Sequence, residues 1–194
     1  IAAPSPPRIA DATPTPSPGL GSPCRCREAK LAEGFATHHA TAVLWGARAV
    51  LLRGASGSGK SRLALELLAE ARRLGRHAAL IGDDRLILEA ASGRLVARAV
   101  DALAGQIEAR GLGIVGIGHE PAGVVGLVVD LVRECPERMP DRDKGDLVTE
   151  IADVRLPRLP VWIEDASPVV RILAALAAAD STAARLPRRH DFAT

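Results

Sequence analysis

A glycine-rich octapeptide is the segment of this sequence whose residue types and spacing point most directly to chemistry. It matches the pattern G-x-x-x-x-G-K-[ST] at every fixed position. Glycines let the backbone curl so that successive N–H groups point at phosphate oxygens, and a following helix adds its positive end. The lysine can reach the β- and γ-phosphates, and the serine hydroxyl can bind Mg²⁺. We therefore predict a site for ATP and Mg²⁺ at Gly54, Ala55, Ser56, Gly57, Ser58, Gly59, Lys60 and Ser61.

Two acidic segments could each provide the carboxylate that accompanies such a phosphate loop. Asp83 and Asp84 follow the apolar run ALIG, whereas Asp130 ends the apolar run GLVVD. A carboxylate at the end of a strand can hold Mg²⁺ or accept a proton from an attacking hydroxyl, and two adjacent aspartates could divide these roles. A solvated Asp-Asp turn is the alternative for the first segment. Spacing alone does not choose between the two segments.

Two smaller groups of polar residues accompany these motifs. Glu108 and Arg110 lie two residues apart before a Gly-x-Gly turn. Glu108 could be a second metal ligand and Arg110 could bind phosphate, although a pair at this spacing is usually solvated surface. His39 precedes the first strand, where it could move protons, contact the phosphate, or serve only as a surface or capping residue.

Composition excludes several classes of protein. The chain has 194 residues, a formal net charge of +2, 47% hydrophobic residues and 2% aromatic residues, which suits one domain with a sizeable core. So few aromatics and so little net charge argue against a nucleic-acid partner. No apolar run is long enough to cross a membrane and no secretory signal is visible. The three cysteines are an odd number, so we expect a cytoplasmic protein without a disulfide framework.

The elements that must position the motifs form an α/β pattern. The phosphate loop lies between an apolar strand and an amphipathic helix, and the turn Ser92-Gly93 indicates a hairpin. We predict a mixed sheet with hairpin additions. The predicted strands are 41–45, 48–53, 78–81, 86–89, 94–97, 111–118, 124–129 and 154–163, and the predicted helices are 62–74 and 167–179. Pro157 and Pro160 predict an edge position for the last strand.

Proline usage predicts the domain limits. Seven of the 14 prolines fall between Pro4 and Pro23, so we interpret residues 1–34 as a disordered Pro-rich tail. Cys24 and Cys26 lie in this tail without a second metal-binding pair at zinc-site spacing. Residues 35–180 form the predicted P-loop kinase domain, and residues 181–194 a C-terminal tail. The polar segment 135–146 predicts a mobile loop.

The motifs, taken in this order, resemble HPr kinase/phosphorylase, the bacterial serine kinase of the phosphocarrier protein HPr of the sugar phosphotransferase system. The segment around Glu108 and Arg110 is the specific element, since it distinguishes this family from other P-loop enzymes. The sequence looks most like the short alphaproteobacterial form, which lacks an extra N-terminal domain. The matching stretches are His39-Ala-Thr41, RAVLLRGASGSGKSRLALELL, Gly82-Asp-Asp-Arg85, LAGQIEARGLGIV, GLVVDLV and Glu137-Arg138.

The resemblance implies a fold similar to phosphoenolpyruvate carboxykinase, a homo-hexamer, and a protein-serine kinase that uses Mg-ATP to phosphorylate HPr. It implies that Asp83 is the general base, and the acid when phosphate attacks phosphoserine in the reverse reaction, with Asp84 in support. It leaves phosphorolysis open, because the segment around Arg138 departs from the family pattern. Gly82 also departs from this pattern, since the family usually has alanine there. The remaining implied roles are Mg²⁺ binding for Ser61 and Glu108, the phosphate site for His39 and Arg110, and a mobile loop linked to phosphorolysis for Arg138.

Two other functions remain compatible with the residues alone. One is a small-molecule or nucleotide kinase built on a more ordinary P-loop core. The other is a non-catalytic regulator that binds ATP and signals through a partner. Without the resemblance, the motifs indicate only a P-loop kinase or nucleotide hydrolase.

Overall fold

The computed structural model describes residues 37–140 and 146–184, with side chains described as far as residue 179. The predicted tail over residues 1–34, with Cys24 and Cys26, lies outside the described residues, as does part of the predicted loop. The described elements are β1 (Thr37–His38), β2 (Thr41–Trp45), β3 (Arg48–Arg53), α1 (Lys60–Arg73), β4 (Ala78–Gly82), β5 (Leu86–Ala91), β6 (Arg94–Ala99), a 3₁₀ turn (Asp101–Leu103), β7 (Gln106–Ala109), β8 (Gly113–Gly116), β9 (Ala122–Val132), β10 (Val148–Ile151), β11 (Val154–Trp162) and α2 (Pro168–Ala184).

Within the described ranges, a mixed sheet of nine strands organises the fold, and β3 lies near its centre. Along the main path the strand order is β1-β5-β6-β9-β3-β2-β4. β3 pairs antiparallel with β2 and parallel with β9, and β9 in turn pairs parallel with β11. β7 and β8 form a separate two-stranded hairpin. The predicted α/β class with a mixed sheet and hairpin additions is confirmed.

The sheet separates two apolar layers, because β3 is apolar on both faces as a central strand requires. Val50 and Leu52 join the layer that contains Leu63 and Leu67 of α1 and residues of α2. Ala49 and Leu51 of β3 join a second layer, which contains residues of β5, β6 and β11. Both helices therefore cover one face, and the hairpin strands cover the other. Among the described residues, no helix is long and apolar enough to span a membrane.

The structure differs from the sequence prediction around the two glycine-rich turns. α1 begins at Lys60 instead of residue 62, because Gly59 adopts φ 96° and starts the helix directly after the loop. The strand predicted over residues 111–118 is wrong in its extent. Gly111 and Gly113, both at φ 87°, form a turn between β7, which was not predicted, and the short β8.

Three further elements differ in extent. β9 continues to Val132, beyond the predicted end at residue 129. β10 was not predicted, and it pairs with the first part of β11, while β9 pairs with the last part. α2 ends at Ala184, past residue 179 and past the domain limit predicted at residue 180. These are contacts between segments distant in sequence or helix ends without a stop signal, which local patterns do not encode.

We expect Leu67→Ala to lower the free energy of unfolding by about 2–5 kcal/mol, because it opens a cavity between α1 and the sheet. Leu67 is 0% exposed, whereas Leu74, just after the same helix, is 46% exposed. The matched variant Leu74→Ala should cost less than about 1 kcal/mol. Urea unfolding followed by circular dichroism measures both. Equal losses would contradict the proposed core.

Candidate active site

The phosphate loop joins β3 to α1, and Lys60 closes it. The Lys60 ammonium donates hydrogen bonds to the carbonyl oxygens of Gly54 and Ala55 at 3.0 and 3.1 Å. It also lies 3.0 Å from Nε2 of His39. Lys60 is only 6% exposed. Burial lowers the pKa of Lys60 and outweighs the nearby negative charges of Asp83 and Asp84, which raise it.

Gly54 is required by close packing at the start of this loop. A Cβ atom at this position would lie 2.7 Å from Oγ of Ser58 and 3.1 Å from the carbonyl oxygen of Leu131. The Ser58 Oγ is buried and has no hydrogen-bond partner among the described residues. The loop thus packs against the end of β9 in a conformation that a side chain at residue 54 would displace.

Asp83 follows β4 and joins four segments through one carboxylate. Ser61 Oγ donates to it, at 2.9 Å from each carboxylate oxygen. Thr41 Oγ1 donates at 2.6 Å, and the backbone N–H of Glu108 donates at 3.2 Å. Asp83 is 7% exposed, so these donors replace the water that the carboxylate loses on burial. The structure therefore brings the phosphate loop, β2, β4 and the Glu108 segment together at Asp83.

Asp84 points to a different partner. Its carboxylate lies 2.8 Å from Nδ1 of His39, and the two side chains are 62% and 48% exposed. Asp84 adopts φ 65°, a left-handed conformation that aspartate tolerates better than most residues. When Lys60 donates to Nε2 of His39, the Nδ1 proton of this histidine can be donated to Asp84. Lys60, His39 and Asp84 then form a chain beside Asp83.

Asp130 takes no part in this cluster in the described structure. Arg53 binds it through two hydrogen bonds of 2.7 and 2.9 Å, and Nε of Arg158 binds it from β11. Burial raises the Asp130 pKa, but the hydrogen bonds and charges of both arginines lower it more, so the net pKa lies below the usual value. Of the two acidic segments that spacing left open, it is Asp83 that contacts Ser61.

Among the described residues, the side chains of the other predicted site residues make no hydrogen bond or ion pair with Asp83 or Lys60. Glu108 contacts Asp83 only through its backbone, and its side chain is exposed. Arg110 lies exposed at the turn between β7 and β8, and Arg138 lies exposed in the segment after β9. No hydrogen bond or ion pair links either arginine to Asp83 or Lys60 in the described part of the chain.

Thr41 is a site residue that the sequence reasoning missed. The sequence patterns place Thr41 only at the start of a strand and in one of the stretches that match the family. It is 0% exposed and gives Asp83 its shortest hydrogen bond, 2.6 Å. A hydroxyl at the first position of an otherwise apolar strand was the available signal, since a buried polar group must find a partner.

The oxygen groups around Ser61 suit a hard cation. The Ser61 hydroxyl and the Asp83 carboxylate lie 2.9 Å apart. Glu108 of β7, whose backbone N–H donates to the same carboxylate, has an exposed side chain. Mg²⁺ prefers such oxygen ligands and usually takes only one or two carboxylates, with water and phosphate oxygens as the rest. The hydroxyl of Ser61 and the carboxylate of Asp83 are therefore oxygen groups of the kind that the predicted ion prefers.

Comparison with known families covers the whole of this site. The family model described as HPr Serine kinase C-terminal domain matches residues 29–187. The chain belongs to this family. The match includes the phosphate loop, Asp83, Asp84 and the Glu108–Arg110 segment of this HPr kinase C-terminal domain.

Curated relatives and a solved structure agree with the family. HPr kinase/phosphorylase of Geobacillus thermodenitrificans is 34% identical over 143 residues, which cover 69% of this chain and 44% of the relative. That of Lactiplantibacillus plantarum is 31% identical over 159 residues, which cover 77% and 48%. The chain thus spans about half the length of these relatives. The Hpr(Ser) kinase/phosphatase from Coxiella burnetii has a similar fold, with a TM-score of 0.57, 23% identity, and coverage of 77% and 97%.

We expect Asp130→Asn to lower the free energy of unfolding by about 2 kcal/mol at pH 7, because it leaves two half-buried arginines without their carboxylate. The Asp130 pKa is lowered by folding, so its contribution is complete above the unfolded aspartate pKa of about 4 and is lost as the pH falls through the lower folded value. The difference from the parent protein should therefore shrink at acid pH.

Urea unfolding at pH 7 and at about pH 3.5 measures this prediction. Asp153→Asn is the matched control, since Asp153 is exposed in a turn at φ 61°, which asparagine also adopts. A constant difference between the Asp130 variant and the parent at both pH values would contradict the assigned ion pairs.

Proposed function

We propose that this chain is the catalytic domain of a Mg-ATP-dependent protein-serine kinase that phosphorylates an HPr-like phosphocarrier protein. The single observation that carries the proposal is the Asp83 carboxylate, which is shared by Ser61 of the phosphate loop and the backbone of Glu108. The first contact is common to P-loop enzymes. The contact with Glu108 joins Asp83 to the segment that distinguishes the HPr kinase family from other P-loop enzymes.

The phosphate loop and Lys60 hold the β- and γ-phosphates of ATP in this proposal. The ammonium of Lys60 is already fixed beside the loop carbonyls, from which it can turn to phosphate oxygens. Ser61 and Glu108 are the proposed ligands of Mg²⁺. When bound, the ion neutralises negative charge that develops on the phosphate oxygens. Gly54, Gly57 and Gly59 keep the loop free of side chains that would obstruct the phosphates.

Asp83 is the proposed general base. It accepts the hydroxyl proton of the substrate serine while the serine oxygen bonds to the γ-phosphorus and the bond from that phosphorus to the β-phosphate oxygen breaks. In the reverse direction Asp83 returns a proton to the serine oxygen while phosphate attacks phosphoserine, and pyrophosphate forms. Asp84 and His39 support Asp83 by fixing Lys60 beside the reacting groups. Arg110 and Arg138 are proposed as exposed cations for the phosphate and for phosphorolysis, respectively.

The setting of this activity is also proposed. The resemblance supports a cytoplasmic enzyme, a fold related to phosphoenolpyruvate carboxykinase, and assembly as a homo-hexamer. The mass of the protein in solution, measured by light scattering, tests the proposed hexamer independently of the proposed reaction.

We expect Asp83→Asn to slow phosphorylation of HPr by a factor of about 10² or more, because an amide cannot accept the serine proton. Nucleotide binding should survive, since asparagine keeps an oxygen for Ser61. The measurement is transfer from γ-labelled ATP to purified HPr, with nucleosides and small acceptors in parallel. Phosphorylation of a small acceptor alone would indicate a small-molecule kinase, and binding without any transfer would indicate a regulator.

Asp84→Asn is the matched comparison for this experiment. Its carboxylate is mainly exposed and contacts only His39 among the described residues, so we expect a smaller loss, of about tenfold. A larger loss in the Asp84 variant than in the Asp83 variant would transfer the role of base to Asp84. Addition of phosphate and phosphoserine-HPr to the same enzymes tests reversal.

We expect Thr41→Val to lower kcat by about tenfold with little change in the KM for ATP, because it removes the hydrogen bond that orients Asp83. Thr41→Ser restores the hydroxyl and should recover most of the activity. Steady-state kinetics with HPr provides both constants. A rise in KM with unchanged kcat would show that Thr41 serves nucleotide binding instead.

A further inference from the structure

A concave feature lies beside the phosphate loop, on the side away from Asp83. It is a cavity of about 270 Å³. One wall is the outer part of the loop, residues 55–58. The other wall is formed by Leu131 and Arg133 at the end of β9 and by Ile163 and Glu164 after β11. Apart from the loop residues and Leu131, whose carbonyl oxygen lies close to Gly54, none of these residues has a role in the site described above.

The topology explains why the cavity is at this place. β3, β9 and β11 run parallel to one another, so their carboxyl ends meet at one edge of the sheet. Ligands of α/β proteins bind in the crevice outside these ends. β4, which leads to Asp83, lies on the opposite side of β3, beyond β2. The phosphate loop therefore separates the reacting groups at Asp83 from the cavity.

The second wall is fixed by hydrogen bonds between the ends of its strands. The backbone N–H of Ile163 donates to the carbonyl of Val132 at 3.0 Å. The indole N–H of Trp162 donates to the carbonyl of Arg133 at 3.1 Å. Because both strand ends are joined in this way, contacts within the protein hold the backbone under Arg133 and Glu164 in a defined position.

The side chains of this wall combine two kinds of chemistry. Leu131 and Ile163 are half-buried and present apolar surface, while Arg133 and Glu164 are exposed and charged. No ion pair of Arg133 or Glu164 occurs within the described residues. A flat base can lie on apolar surface and under a guanidinium group, and a carboxylate can accept hydrogen bonds from hydroxyls. The volume of about 270 Å³ is just below that of pockets for whole ligands, which is about 300–1,000 Å³.

We propose that this cavity binds the nucleoside half of the nucleotide whose phosphates occupy the loop. Glu164 accepts hydrogen bonds from the ribose hydroxyls, and the guanidinium of Arg133 lies against the base. Glu164 and Arg133 are thus the residues that make this chain bind a nucleotide more tightly than a bare polyphosphate. The inference rests on the proposed function, since it needs a nucleoside triphosphate in the loop.

The test compares ATP with tripolyphosphate, which can fill the loop and lacks the nucleoside. Isothermal titration calorimetry of the full chain with Mg²⁺ gives both dissociation constants. For Glu164→Gln we expect about tenfold weaker binding of ATP and unchanged binding of tripolyphosphate, because only hydrogen bonds to the ribose are weakened. Arg133→Gln should also weaken the binding of ATP, and it should change the dissociation constant for tripolyphosphate by no more than about twofold. Glu134→Gln removes a neighbouring exposed charge outside the cavity and should change neither constant.

A second ligand assigns the contact within the nucleoside. The parent protein should bind 2′-deoxy-ATP less tightly than ATP, and Glu164→Gln should reduce this difference in affinity. If Glu164→Gln binds ATP as the parent does, or if Arg133→Gln weakens both ligands equally, the nucleoside assignment is overturned while the proposed function stands. If the parent binds neither ATP nor tripolyphosphate, the proposed function fails and the inference fails with it.

Discussion

The burial of the Asp83 carboxylate is the constraint on which the rest of the site depends. A carboxylate that loses its water must be given hydrogen-bond donors, or folding is opposed by several kcal/mol. Thr41, Ser61 and the backbone of Glu108 provide them from three separate segments. Each segment can reach Asp83 only if β2, α1 and β7 are correctly placed around β4. The hydrogen bonds of Asp83 therefore form only in the correctly folded chain, and they link the stability of the fold to the geometry of the site.

A second carboxylate shows how strongly environment decides the use of one residue type. Asp130 follows an apolar run as Asp83 does, yet it lies between Arg53 and Arg158 on the face of the sheet away from α1. Its lowered pKa and its two cationic partners suit a structural tie between β3, β9 and β11. Among the described residues, Asp83 receives hydrogen bonds only from neutral donors, so no arginine holds its carboxylate in an ion pair.

The sequence was sufficient where the signal is local. The phosphate loop, the strand before it and the helix after it follow from spacing, glycine and apolar periodicity within about 30 residues. Thr41, β7 and β10 were missed because each takes its meaning from a partner distant in the chain, namely Asp83, β8 across a glycine turn, and β11. The choice between Asp83 and Asp130 also needed the order of strands. The roles of His39, Arg110 and Arg138 stay predictions.

The contacts of Lys60 have a consequence for the entropy of ligand capture. Because its ammonium bridges two loop carbonyls, the loop is held in a closed ring by contacts within the protein, and this reduces the ordering that phosphate binding must supply. A compact ammonium can exchange carbonyl oxygens for phosphate oxygens by small rotations, whereas a planar guanidinium would need a wider opening. In a chain with 22 arginines and three lysines, residue 60 is thus a position where the two cations are not equivalent.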